Sequence, residues 1–280
     1  MSALYQSIST GTASNGGSGA VTDVIVAKPS GLAIGDLMVA FIDGAGGSST
    51  TYSCSGWTAD SSYTLVSTGL GVSATILYKT ADSGDVAAST FTFTAALGQA
   101  VLVGAIMRIT QGNTVTPIFA IAGDVNNASN TPSYSNAIVP EANDLLIMYV
   151  AGYGFTSTSG YAIATSNPTW TERVDLTENT SNAGLVNIAI ATATRSQSTN
   201  TGNASVSLVG SGRTGCVLIA IKSTVIINVS DTVTMTDTLS RMCKKFFTEV
   251  LTMTDTLVST KTRLWRSVAK PITIWRSRNK

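Results

Sequence analysis

Residues 36–44 read DLMVAFIDG and residues 144–152 read DLLIMYVAG. In both, an aspartate opens a run whose positions are apolar at either parity. Successive side chains of a strand point to opposite faces. A run apolar at both parities is therefore a strand covered on two sides, the central strand of a layered β-protein. Neither run approaches the ~18 consecutive apolar residues that a membrane helix needs.

The flanking sequence repeats as well. Around the first run lie KPSGLAIG, SGWT, ATILYKTADSG, STFTFTAAL and VLVGAIMRIT; around the second lie AIVPEAN, NPTWTERVD, NIAIATATRSQ, NASVSLVGS and GCVLIAIKS. Asp36 aligns with Asp144, Trp57 with Trp170 and Val103 with Val217, at offsets of 108, 113 and 114. Self-similarity of this kind fixes the domain count before anything else does. Residues 1–115 and 116–222 are two copies of one unit, each with about seven short strands bounded by Gly, Ser, Asn and Asp clusters. In STFTFTA, Phe91 and Phe93 share one face and Thr90, Thr92 and Thr94 the other. The expectation is an all-β chain of two tandem antiparallel β-sandwiches, jelly-roll or immunoglobulin-like. Separate and interleaved sandwiches are both compatible with the pattern.

Residues 223–280 form a third region, in which TMTDTL occurs at 234–239 and again at 252–257. Threonine at every second position favours strand, so this region reads as a Thr-rich β-repeat arm. A helical reading competes, because Leu239, Met242, Phe246, Val250, Met253 and Leu257 fall at spacings of three and four. LSRMCKKFFTEVL is its most helical part. The arm is also where the charge changes sign. Residues 1–222 hold seven basic and twelve acidic groups, whereas residues 223–280 hold ten and four. Asymmetry of this kind marks an interaction tail. Lys261, Arg263, Trp265, Arg266, Ile274, Trp275 and Arg276 are the expected docking residues, with PITIW suited to adding a strand to a neighbour's sheet edge. Nucleic acid and a membrane surface rank below protein as partners of this segment.

Composition narrows the chemistry. The chain has no histidine, which removes imidazole acid–base catalysis and zinc–histidine sites. Cys54, Cys216 and Cys243 are an odd number without metal-ligand spacing, and read as free thiols of a chain made in a reducing cytosol. The start, MSALYQSIST, lacks the basic and apolar regions of a signal peptide. The acids Asp82 and Asp85, and Glu172, Asp175 and Glu178, read as solvated turn charges at a sandwich rim. No enzyme, cofactor or metal is expected. Trp57 and Trp170 read as plugs at the open end of each sandwich, an exposed aromatic platform for a sugar being the alternative. The better candidates for surface contact, with carbohydrate for instance, are aromatics in Gly- and Ser-rich loops: Tyr52, Tyr153, Phe155 and Tyr161.

The pattern KPSGLAIGDLMVAFI, SGWT, ILYKTADSGD, TFTFTAA and GAIMRI, with NPTWTERVD and NASVSL in the second copy, resembles β-sandwich modules in structural proteins of tailed bacteriophages: tail-fibre, head-fibre or capsid-decoration components. DTVTMTDTLS is similar to the ends of phage fibres. The resemblance implies a multimeric virion protein, synthesised in the host cytoplasm, with other virion proteins and copies of itself as partners. A receptor-binding or adhesin module that reads host surface glycan is the alternative. No individual functional residue follows from the resemblance.

Overall fold

The computed structural model describes residues 2–223, apart from short stretches at 16–18, 47–49, 68–71, 130–132, 135–137, 143, 155, 165–167, 181–183, 195–197 and 211. The repeat arm expected at 223–280 lies outside the described residues from 224 onward. Met1–Asn228 forms one compact unit.

The first half contains β1 (Leu4–Ser14), β2 (Val21–Ala27), β3 (Leu37–Ala45), β4 (Tyr52–Ser53), β5 (Thr58–Ser67), β6 (Val72–Thr80), a short α1 (Ser83–Ala87), β7 (Thr90–Gln99) and β8 (Val101–Thr110). The second half contains β9 (Ile118–Ser129), β10 (Ser133–Tyr134), β11 (Leu145–Tyr153), β12 (Ser157–Ile163), β13 (Thr171–Thr180), β14 (Gly184–Thr194), β15 (Ala204–Val209) and β16 (Gly212–Ile221). The described chain is thus all-β, in antiparallel sheets, with one five-residue helix.

Each half has eight strands, one more than the seven read from the sequence, because two-residue strands such as β4 carry almost no pattern. The order is β1-β8-β3-β6-β5 and β2-β7-β4 in the first half; in the second it is β9-β16-β11-β14-β13 and β10-β15-β12. Strand for strand these are the same arrangement. Among the described strands, none joins a sheet of the other half.

The equivalence is anchored by the aspartates that open the two central runs. Asp36 Oδ2 accepts from Ala33 N at 2.9 Å and Asp36 N donates to Ala33 O at 3.1 Å. Asp144 does the same with Glu141, at 2.9 and 3.2 Å. Each side chain closes a tight turn before its strand, the usual use of Asp in such positions. From there the pairing register corrects the sequence alignment. Asp43 lies opposite Val103, and Ala151 opposite Gly215, so Val103 corresponds to Gly215, at an offset of 112, and not to Val217. The Thr58–Thr171 match holds, since Thr58 faces Tyr78 and Thr171 faces Thr192 while Leu37 and Leu145 face Thr80 and Thr194.

Alternation along β3 and β11 distributes side chains between two cores. Leu37, Val39, Phe41 and Ala45, with Leu145, Ile147, Tyr149 and Ala151, enter one cluster shared by both halves. This seam lies between the two five-stranded sheets. Met38, Ala40 and Ile42 meet Val24, Val26, Tyr52, Phe91 and Phe93 in a cluster confined to the first half. Leu146, Met148 and Val150 meet Ile163, Ala204, Val206 and Leu208 in its counterpart. At the seam the rings of Phe41 and Tyr149, equivalent residues, lie 4.9 Å apart at 47°. At its edge the Arg173 guanidinium of β13 sits 4.0 Å from the centre of the Tyr5 ring of β1, a cation–π contact across the halves.

Phe41→Ala is expected to cost about 3–5 kcal/mol, as large-to-small changes in close-packed cores do. Tyr149→Phe removes a buried hydroxyl without a hydrogen-bond partner, and is expected to leave stability unchanged or raise it. Urea melts of the two variants check both.

Candidate functional site

Of the four aromatics chosen from the sequence, Tyr52 is misplaced there. It is not a loop residue open to ligand: it lies in β4, is 2% exposed, and donates from its hydroxyl to Ser73 O at 3.1 Å. Its room comes from Gly44, where a Cβ would collide with the Tyr52 hydroxyl and the Leu102 side chain. Tyr153 ends β11, half-buried against the seam cluster. Phe155 lies outside the described residues. So do Lys261, Arg263, Trp265, Arg266, Ile274, Trp275 and Arg276 of the expected docking segment.

Tyr161, in β12, is the candidate around which other groups converge. Its ring lies 6.2 Å from that of Trp170 at 34°, and both are half-buried against the inner cluster of the second half. The Tyr161 hydroxyl is 2.9 Å from Thr158 Oγ1, which donates to Glu172 Oε2 at 2.6 Å. Thr158 N donates to Asp175 Oδ2 at 2.9 Å. The site thus spans the gap between β12, at the edge of the small sheet, and β13, at the edge of the large one. Burial pushes the Asp175 carboxyl above its ordinary range; the Thr158 amide opposes this and the neighbouring Glu172 adds to it. Burial also raises the Tyr161 phenol, so it stays a neutral donor. Two tilted rings beside an exposed carboxylate and a threonine hydroxyl offer what a polyhydroxylated ligand uses, a flat apolar face with acceptors at its rim.

Glu172, Asp175 and Glu178 are in strand β13, not in turns as the sequence reading had them. A register shift between Glu172 and Val174 interrupts the alternation, which hides the strand from a period-2 reading. Asp82 is exposed just before α1, but Asp85 lies within that helix and is buried, so it is not a solvated turn charge. Asp82 caps α1, with Asp85 N donating to Asp82 Oδ1 at 3.0 Å and Asp82 N to Asp85 Oδ2 at 2.9 Å. Lys79 Nζ joins them, 2.7 Å from Asp85 and 3.2 Å from Asp82. The reciprocal arrangement is a capping box, and these charges have a structural employment.

The two tryptophans differ in company. Trp57 is set edge-on against Phe91 and Phe93, at 5.5 and 5.3 Å, with its Nε1 buried and without a hydrogen-bond partner. Around Trp170 the strand equivalent to β7 supplies Ala204, Val206 and Leu208 instead of aromatics. Thr158 escaped the sequence reading because a lone threonine in a Gly- and Ser-rich stretch carries no signal.

Among the described residues no three His, Cys, Asp or Glu side chains are grouped to hold a metal ion, and no helix is long and apolar enough to cross a membrane. Cys54 and Cys216 are free thiols. No family model, curated protein or solved structure matches the chain.

Trp57→Ala is expected to destabilise the protein by about 3–5 kcal/mol, because it empties a site enclosed by two phenylalanines. Trp170→Ala is expected to cost at least 1 kcal/mol less by the same estimate, its ring having fewer aromatic neighbours. Parallel denaturant titrations of the two variants measure the difference.

Proposed function

We propose that this chain is a non-enzymatic structural component of a tailed-bacteriophage virion, a fibre or capsid-decoration protein. Its body is a pair of tandem β-sandwich modules, jelly-roll or immunoglobulin-like, and its basic C-terminal segment docks it to other virion proteins or to copies of itself. The observation that supports this best is the way the two halves repeat one strand order and spend their central strands on a common seam. Charged groups of the body serve the same end: Arg108 pairs with Asp36 at 2.6 Å, and Lys79 with Asp85 at 2.7 Å, each beside a turn. Such a body holds a shape. The C-terminal segment read from its charge and its PITIW stretch as the docking arm is basic, opposite in sign to the body. Exposed ion pairs contribute only about 0–1 kcal/mol each, so apolar contacts of Trp265, Ile274 and Trp275 supply the retention and charge steers the encounter.

A second reading is a receptor-binding module for host surface carbohydrate. The Tyr161–Trp170 pair with Thr158 and Glu172 at the β12–β13 gap favours it.

Ser223 N donates to Asp144 Oδ1 at 3.2 Å, and Ser223 bridges Gly112, so a truncation must spare it. Removing residues 229–280 is expected to leave a folded body by circular dichroism that no longer enters particles. Full incorporation of the truncated chain overturns the docking role. Particles washed in 1 M salt, where the Debye length is about 3 Å, are expected to keep the intact protein. A glycan array with the full chain tests the second reading: binding that Tyr161→Ala abolishes places carbohydrate recognition first.

A further inference from the structure

Asp43 is the one carboxylate whose surroundings the described structure leaves unexplained. It lies in β3 on the face that also carries Leu37, Val39, Phe41 and Ala45, all members of the seam cluster. It is 0% exposed; no side chain donates to its carboxyl, and the backbone amides of Gly44 and Gly152 act on it without meeting full hydrogen-bond geometry. Its neighbours across the sheet are Ala74 of β6 and Val103 of β8, which offer no charge. From the opposite sheet comes the Tyr149 hydroxyl of β11, also buried and without a partner. The remaining ionisable group acting nearby is Tyr52 of β4, whose hydroxyl is engaged with Ser73. Among the described residues the groups around Asp43 thus include two phenols and the backbone amides of Gly44 and Gly152, and no cation. In the second half the equivalent position is Ala151.

A charge in such a place is costly. A buried carboxylate so weakly partnered gives up its hydration for little in return, so the group takes the neutral form instead. Burial accordingly pushes Asp43 well above the ordinary carboxylate range, with the Gly44 and Gly152 amides easing the effect. The same burial raises the phenols of Tyr149 and Tyr52, and the Asp43 charge raises them further.

We propose that Asp43 makes the union of the two halves sensitive to pH: the seam closes around the neutral carboxylic acid and is loosened when that acid ionises. The sign follows from linkage. Between the titration point of an exposed aspartate, near ~3.9, and that of Asp43 in the closed protein, the open form has lost the proton and the closed form still holds it. Closing therefore takes up a proton, and each pH unit in that window shifts the equilibrium about tenfold toward the open form. The union is strongest in acid and weakens as pH rises through the window. Above the window the penalty is constant.

The test uses the full-length protein with Ala151→Cys as a reporter on the seam face of β11. Ala151 is fully buried there. Cys216, buried in the inner cluster of the second half, is an internal control. Labelling rates followed upward from about pH 4, corrected for thiolate fraction, are compared with and without Asp43→Asn. The expected result is a seam thiol that becomes more accessible about tenfold per pH unit in the window, against a flat response at Cys216. Asp43→Asn removes the rise. Equal slopes with and without Asp43 overturn the proposal, as does parallel exposure of both thiols. If Asp43→Asn does not fold, Asp43→Ala replaces it, since alanine occupies the equivalent position at 151. A carbon-13 titration of the Asp43 carboxyl in the otherwise native chain decides independently: a midpoint near ~3.9 overturns the proposal.

Discussion

A strand has two faces, and β3 and β11 bury both. Their odd-numbered residues belong to the seam between the large sheets and their even-numbered residues to the inner core of each half. The constraint propagates outward. Strands β6, β8, β14 and β16, paired directly to these two, must also present apolar side chains on both faces, so the sheet centres are Val, Ile, Leu and Ala with little else. Polar residues intrude on these strands at a few buried positions, Asp43, Ser73, Thr75, Asn187, Thr192 and Thr214 among them. Close packing on both faces also leaves no slack, because interiors packed to crystal-like density feel the loss of a single methylene. The ring pair of Phe41 and Tyr149 lies where equivalent strands of the two halves face each other.

That constraint explains what was readable in the sequence. DLMVAFIDG and DLLIMYVAG stand out because two-sided burial admits no alternation, and the aspartate before each has a fixed task in a tight turn. The all-β class and the matches at Asp36, Trp57 and Thr58 follow from such positions. The mismatch at Val103 has the opposite cause. VLVGAIM and GCVLIAI are apolar throughout, and a slip of two residues keeps every side chain on its own face. Only the hydrogen-bonded partners, Asp43 with Val103 and Ala151 with Gly215, fix the register.

Function was less legible, for physical reasons that differ from residue to residue. Tyr52 stands in GGSSTTYS, a composition typical of loops, yet two residues of strand and the space above Gly44 draw its ring into the core. The acids of β13 looked like turn charges because a bulge breaks their alternation. Tyr161 reads as a loop aromatic but lies in β12, half-buried, and its partners Thr158, Trp170 and Glu172 come from separate stretches that only the β12–β13 gap unites. Asp43 did leave a trace in the sequence: it is the single charge in an otherwise apolar run whose second copy has alanine.

Where the halves diverge, the same backbone register is filled by different chemistry. Gly44 is flanked across the sheet by Ser73 and Leu102, and Gly152 by Asn187 and Thr214. In the first half the Tyr52 ring covers the glycine and its hydroxyl satisfies the Ser73 carbonyl, so volume and hydrogen bonding are met by one side chain. In the second half Asn187 Nδ2 donates to Thr177 Oγ1 at 2.6 Å, and Thr177 Oγ1 to Thr156 O at 3.3 Å. Asn187 Oδ1 and Thr214 Oγ1 remain buried without partners. An unmet buried polar atom costs on the order of 1–3 kcal/mol. The second half therefore tolerates a polar row beneath the edge where Tyr161, Thr158 and Glu172 converge, and the first half has closed the same row with an aromatic. Each half nonetheless keeps unmet polar atoms of its own: the Asp43 carboxyl, Thr75 Oγ1 and Trp57 Nε1 in the first, Asn187 Oδ1 and Thr214 Oγ1 in the second.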